Sequence, residues 1–175
     1  MNLRMLLIVT SATAIGSVLA VFGTAAWADN GKGKSQACRS TLVGTYLTTV
    51  EDSDGAFASR SLITFHDDGT MTVVDARQLN GVTGTAFSAQ QGAYRCTGRH
   101  GAVATGIDFG FPPDENIGRL DWRIDIAHDG TVEGDLTLNV FTPQATCNPF
   151  DEATCELEVQ VDFSFSSVRV PSEVD

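Results

Sequence analysis

The sequence predicts an all-β protein, an antiparallel up-and-down barrel of about eight strands, on three observations. From Thr41 onward, short runs alternate apolar and polar residues with a period of two, which gives a strand one dry face and one wet face. These runs stop at tight-turn signals, among them Asp54-Gly55, Asp67-Asp68-Gly69 and His128-Asp129-Gly130. No helical period interrupts the series. Closure into a barrel removes the unpaired edges that an open sheet must protect, so it is the first choice. A two-sheet β-sandwich has the same alternation and is the runner-up.

The first strand runs from Leu42 to Val50, with Leu42, Gly44, Tyr46 and Thr48 on one face, and ends at Asp52-Ser53-Asp54-Gly55. Phe57 to His66 and Met71 to Asp75 form a hairpin around Asp67-Asp68-Gly69. Residues 76–90 are rich in Gly, Thr, Ser and Ala without a period, and read as the first long loop. Gln91 to Cys96 is the fourth strand. Ala102 to Phe111 is the fifth, which places Val103, Thr105, Ile107, Phe109 and Phe111 together and halts at Pro112-Pro113. From Arg119 to Ile126 the charged set Arg119, Asp121, Arg123 and Asp125 alternates with Leu120, Trp122, Ile124 and Ile126, the clearest half-buried strand in the chain. Val132 to Phe141 repeats the pattern. After a long loop with Cys147 and Cys155, the last strand puts Leu157, Val159, Val161, Phe163 and Phe165 on one face.

Ahead of the barrel, Arg4, the apolar run from Met5 to Phe22 and the small-x-small triplet Ala26-Trp27-Ala28 predict a secretory signal over 1–28. Cleavage before Asp29 fits best, although Val18-Leu19-Ala20 and Thr24-Ala25-Ala26 also satisfy the small-residue rule and the run is nearly long enough for an uncleaved anchor. A flexible leader follows over 29–40, Gly-rich and carrying Lys32 and Lys34, the only lysines. A single barrel domain then occupies 41–170 and a short tail 171–175. The expected location is secreted or periplasmic. With a formal net charge of −11 and both lysines in the leader, the folded part lacks the clustered cations that nucleic acid or an anionic membrane surface requires.

In a meander, successive turns alternate between two ends. One end collects the short turns at Asp67, Gly98 and Asp129, the start of strand one and the finish of strand eight; the other collects the long loops. Cys38, Cys96, Cys147 and Cys155 behind a secretory signal read as disulfides, and none has Cys-x-x-Cys spacing. Cys38 and Cys96 fall at the short-turn end and Cys147 and Cys155 in one long loop at the other, so proximity favours those two pairs. His66, His100 and His128 sit on separate short turns without His-x-His pairing, so solvated histidines are expected there and no metal site is assigned. At the long-loop end, residues 76–90 and 142–156 frame a mouth ringed by Asp52, Asp54, Asp114, Glu115, Asp151 and Glu152. Phe65, Phe109, Trp122 and Phe163 are the inward residues expected to meet a ligand, or, as a period-two aromatic stripe, to fill the core. Small barrels are either filled by side chains or open to one small ligand, and alternation does not choose.

Gly44-Thr45-Tyr46 on the first strand, the meander, and Arg169 near the end of the last together resemble the lipocalin and wider calycin barrels. That family opens with Gly-x-Trp and covers the Trp with an Arg near the C-terminus. The resemblance therefore puts Gly44, Tyr46 and Arg169 in closed-end packing, with a cation–π contact between Tyr46 and Arg169. Tyr46 stands where the family has Trp, and Val170 to Asp175 are too few for the helix that packs on a lipocalin barrel. The resemblance implies an exported module that binds a small apolar or amphipathic molecule, with no cofactor. One alternative is a barrel enzyme of isomerase or cyclase type, for which Arg60, Arg95 and Asp108 are the mid-strand charged candidates. Alternation assigns Asp108 to the face opposite Ile107 and Phe109, as an outward ion. There is no Gly-x-Ser-x-Gly elbow, His-Glu-x-x-His or phosphate loop, and no catalytic residue is assigned. The other alternative is a non-catalytic extracellular structural or interaction protein with an outward apolar patch.

Overall fold

The computed structural model describes residues 29–79, 86–113 and 115–171; the expected signal at 1–28 and residues 172–175 of the tail lie outside them. Among the described residues one α-helix, α1 (Asp29–Leu42), precedes eight strands: β1 (Gly44–Asp52), β2 (Phe57–Phe65), β3 (Thr70–Asp75), β4 (Gln90–Cys96), β5 (Gly101–Phe109), β6 (Ile117–Ile126), β7 (Val132–Phe141) and β8 (Leu157–Arg169). Each strand pairs antiparallel with its neighbours in sequence. β1 closes the barrel against β8, in a register that sets Tyr46 opposite Arg169 and Asp52 opposite Phe163. That last pairing rules out the sandwich.

The Asp-Gly turns form for a local reason. The Asp68 carboxylate accepts from the backbone N–H and hydroxyl of Thr70, Asp129 from the N–H of Thr131, and Asp52 from the N–H groups of Asp54 and Ala56. Each side chain thereby replaces a missing backbone partner while the following glycine takes a positive φ, at Gly55, Gly69 and Gly130.

The segment 29–40, expected as a flexible leader, is instead helical and continues to Leu42. Its Gly-rich start carries no anchor in sequence, but Cys38 and Leu42 are fully buried and Cys38 is bonded to Cys96 on β4. The helix closes the short-turn end of the barrel. Above it, toward the barrel's middle, Tyr46, Phe65 and Tyr94 pack edge to face, with ring centroids 5.9 and 5.3 Å apart.

β5 overturns one expectation. Its two faces are as read, but their sides are reversed: Ala102, Ala104, Gly106 and Asp108 face the lumen, and Phe109 is 56% exposed. The register explains why. Ala104 lies between Tyr94 on β4 and Trp122 on β6, so small residues on β5 make room for large neighbours on both sides. Asp108, expected as an outward ion, is accordingly an inward one.

Candidate functional site

The half of the barrel nearest the long loops is hollow, with a cavity of about 610 Å³. Its lining is divided by strand. β6, β7, β8 and β1 supply an apolar wall of Leu120, Leu136, Leu138, Val140, Phe163 and Val50. β2 to β5 supply Ser59, Ser61, Asp75, Gln90 and Asp108. Trp122 spans the two regions and stacks edge to face on Phe165, 5.2 Å away.

The polar side is mostly internally satisfied. Asp75 accepts from the hydroxyls of Ser59 (2.5 Å) and Ser61 (2.6 Å) and from the backbone N–H of Arg77 (2.7 Å). Asp108, 6% exposed, accepts from the Gln90 amide and from the Gly118 backbone. Burial raises its pKa to about 7; the Gln90 hydrogen bond opposes that shift, the negative charge of Asp75 adds to it, and the Gly118 N–H again opposes it. Among the described residues, two buried polar atoms at this site have no partner: Oε1 of Gln90 and Nε1 of Trp122. The polar groups fit only because glycine faces them. A Cβ on Gly118 would lie 2.1 Å from Oδ1 of Asp108, and one on Gly106 would lie 2.8 Å from Oε1 of Gln90.

Around the mouth stand Arg77, Phe87, Pro113, Glu115, Asn116, Thr142, Pro143 and Glu158. Of the expected acidic ring, Glu115 lines the opening, Asp52 caps the β1–β2 turn, Asp151 accepts from the backbone N–H of Ala153, and Asp114 lies outside the described residues. Of the segment 142–156, expected to frame the mouth, Thr142 and Pro143 line the opening, whereas Pro149 lies against the outer wall. The Arg119 guanidinium on the outer face of β6 donates to the Pro149 carbonyl and pairs with Asp121 at 2.9 Å, while lying 5.5 Å from the Phe141 ring centroid. The loop is thus held against the outside of the barrel, with Cys147 bonded to Cys155.

Trp122 and Phe163 therefore line the cavity, Phe65 belongs to the aromatic layer beneath it, and Phe109 lies outside. Arg60 and Arg95 are exposed, so of the three charged residues considered for catalysis only Asp108 faces the lumen. His100 and His128 meet edge to face at 4.9 Å on adjacent turns at the closed end. On the outer surface Val168, Leu47, Leu62 and Val74 form one partly exposed row across β8, β1, β2 and β3.

At the closed end, the Arg169 guanidinium lies 5.8 Å from the Tyr46 ring centroid and donates to the carbonyls of Val43 and Thr41, the latter at 3.4 Å. Tyr46 donates its hydroxyl to the same Thr41 carbonyl at 3.0 Å. Gly44 keeps the space clear, since a Cβ there would lie 2.6 Å from Nη2 of Arg169. The last carbonyls of α1 thus receive the cation that a helix C-terminus favours.

Sequence reasoning missed Ser59, Ser61, Asp75 and Gln90. The signal for the first three was present as an inward period of two, Ser59-Ser61-Ile63-Phe65 facing Asp75-Val73-Met71, in which polar residues replace apolar ones toward one end of the strands.

Fold and site together define a class: a closed eight-stranded antiparallel barrel, sealed by a helix at one end and hollow at the other. Comparison with family models, curated proteins and solved structures finds no match to this chain.

Proposed function

We propose that the protein is an exported binding module that holds one small amphipathic molecule in its lumen. The observation that carries this reading is the divided cavity. Its volume falls within the range of small-molecule sites, and an apolar wall facing a few converging polar groups is the usual composition of such sites. The unpartnered Gln90 and Trp122 atoms support it, because buried polar groups are normally satisfied and a ligand can supply the missing partners. The likeness of Gly44, Tyr46 and Arg169 to the calycin pattern points the same way. Export is supported by the signal-like start and by two disulfides, which persist in oxidising compartments.

The test is calorimetric titration with 1-decanol, beside a Leu138→Trp variant whose added ring occupies the cavity. Saturable one-to-one binding that the variant loses supports the reading. No binding by the folded wild-type protein, or equal binding by the folded variant, overturns it.

A further inference from the structure

We propose that the lumen selects ligands carrying a protonated amine on an apolar body, with the ammonium group seated against Asp108 and Gln90 and the body against the β6–β8 wall. This rests on the lumen being a binding site and adds the identity of the ligand's polar group.

The site's free hydrogen-bonding capacity is mainly accepting. Oε1 of Gln90 has no donor, and the Asp108 and Asp75 carboxylates can each accept more bonds than their named partners supply. Against these, Trp122 offers one unpartnered N–H. An ammonium brings three donors and no acceptor, which matches this imbalance, whereas a carboxylate or phosphate adds acceptors where they are already in excess.

Charge points in the same direction. Among the described residues, neither lumen carboxylate has a cationic partner; the described ion pair, Arg119–Asp121, lies on the outer wall. The elements around Asp108 contribute Ser59 and Ser61 from β2, Asp75 from β3, Gln90 from β4 and Gly118 from β6, so the one titratable neighbour inside is another acid. Among the described residues, the charged groups at the mouth are Arg77, Glu115 and Glu158. A buried carboxylate without a counter-ion is costly, and a ligand cation relieves that cost.

Position gives the pair its direction. Gly106 and Gly118 leave Oε1 of Gln90 and Oδ1 of Asp108 lying over bare backbone inside the barrel. Leu136, Leu138 and Phe163, two and three strands round the barrel from Asp108, offer no hydrogen bond, so an amphiphile has one preferred orientation.

Asp108 is about half ionised near neutrality in the empty protein, whereas an alkylamine stays protonated well above that pH. If the amine binds the ionised form, raising the pH from 6 to 8 increases its affinity by about tenfold, following the fraction of competent protein.

The experiment compares decylamine with 1-decanol by calorimetry at pH 6 and pH 8, on the wild-type protein and on Asp108→Asn. The expected results are tighter amine than alcohol binding at pH 8, an amine-specific loss of about tenfold at pH 6, and loss of the amine preference in Asp108→Asn. Equal affinity for amine and alcohol at pH 8, a pH shift of the same size for both, or an amine preference retained by Asp108→Asn overturns the inference. In each of those cases alcohol binding still stands as evidence for the lumen site; absence of binding by both ligands overturns the site itself. Should Asp108→Asn fail to fold, the two wild-type comparisons decide alone.

Discussion

Asp108 on β5 and Gly118 on β6 face each other in register, and the aspartate carboxylate occupies the space where any other residue at 118 would place its side chain. The two residues form one device: the glycine gives the carboxylate room and donates its backbone N–H to it. Gly118→Ala should displace Asp108 and destabilise the fold by about 1–3 kcal/mol, as overpacking of a filled interior does. Urea denaturation measures this, and an unchanged midpoint would show that the carboxylate has another place to go.

Stability should depend on pH through Asp108. Its folded pKa of about 7 lies above the ordinary aspartate value, so between those pH values the folded state binds more protons than the unfolded state. This group leaves the fold unpenalised well below the ordinary aspartate pKa and costs stability increasingly as the pH rises from there to about 7, with a limiting slope of about 1.4 kcal/mol per pH unit. Asp108→Asn removes the slope. Its stability relative to wild type should therefore be greater at pH 8 than at pH 5, measured by urea unfolding at both. Asp68 and Asp129 act in the other direction. Hydrogen bonds from Thr70 and Thr131 hold their pKa values down, and the stability they add is lost only as pH falls below the ordinary carboxylate range.

The two disulfides should differ in weight. Cys38–Cys96 spans 58 residues and fastens α1 to the barrel, whereas Cys147–Cys155 spans 8 within a surface loop. Replacing the first pair with serine should cost about 2–4 kcal/mol and expose the amides of α1 to rapid hydrogen exchange. Replacing the second should leave strand protection unchanged. Thermal denaturation with exchange mass spectrometry separates the two, and equal losses would contradict the assignment of α1 as the barrel's seal.

Arg169→Ala removes the cation over Tyr46 and the donors to the end of α1. A loss of about 1–2 kcal/mol is expected from the charged hydrogen bonds and ring contact together. Because Arg169 lies at the end opposite the cavity, 1-decanol affinity should not change, which calorimetry on the folded variant checks.

Much of this architecture was legible in the sequence because its determinants are local. Asp67-Asp68-Gly69 dictates its own turn through Asp68 and Thr70, and alternation from Arg119 to Ile126 marks a wet and a dry face without reference to any other strand. The meander then placed Cys38 near Cys96. What was not legible depends on neighbours. Which face of β5 turns inward follows from Tyr94 and Trp122 flanking Ala104, a relation across three strands, so the larger residues ending at Phe109 suggested the wrong side. Likewise α1 is held by a distant bond and the burial of Leu42, not by helix-forming composition. The polar half of the cavity was harder to read because Ser59, Ser61, Asp75, Gln90 and Asp108 lie on four successive strands and meet only through the register in which those strands pair.

A ligand in the hollow half of the barrel is reported most directly by the indole N–H of Trp122, which lines that half. Of the chain's two tryptophans, Trp27 lies in the segment removed by the expected cleavage before Asp29, so the exported form shows one indole resonance, that of Trp122. We expect the Trp122 Nε1–H resonance to shift saturably on titration with decylamine at pH 8 and to respond little in Leu138→Trp. A Trp122 indole resonance that stays fixed at saturating amine, in a folded protein, would contradict the account.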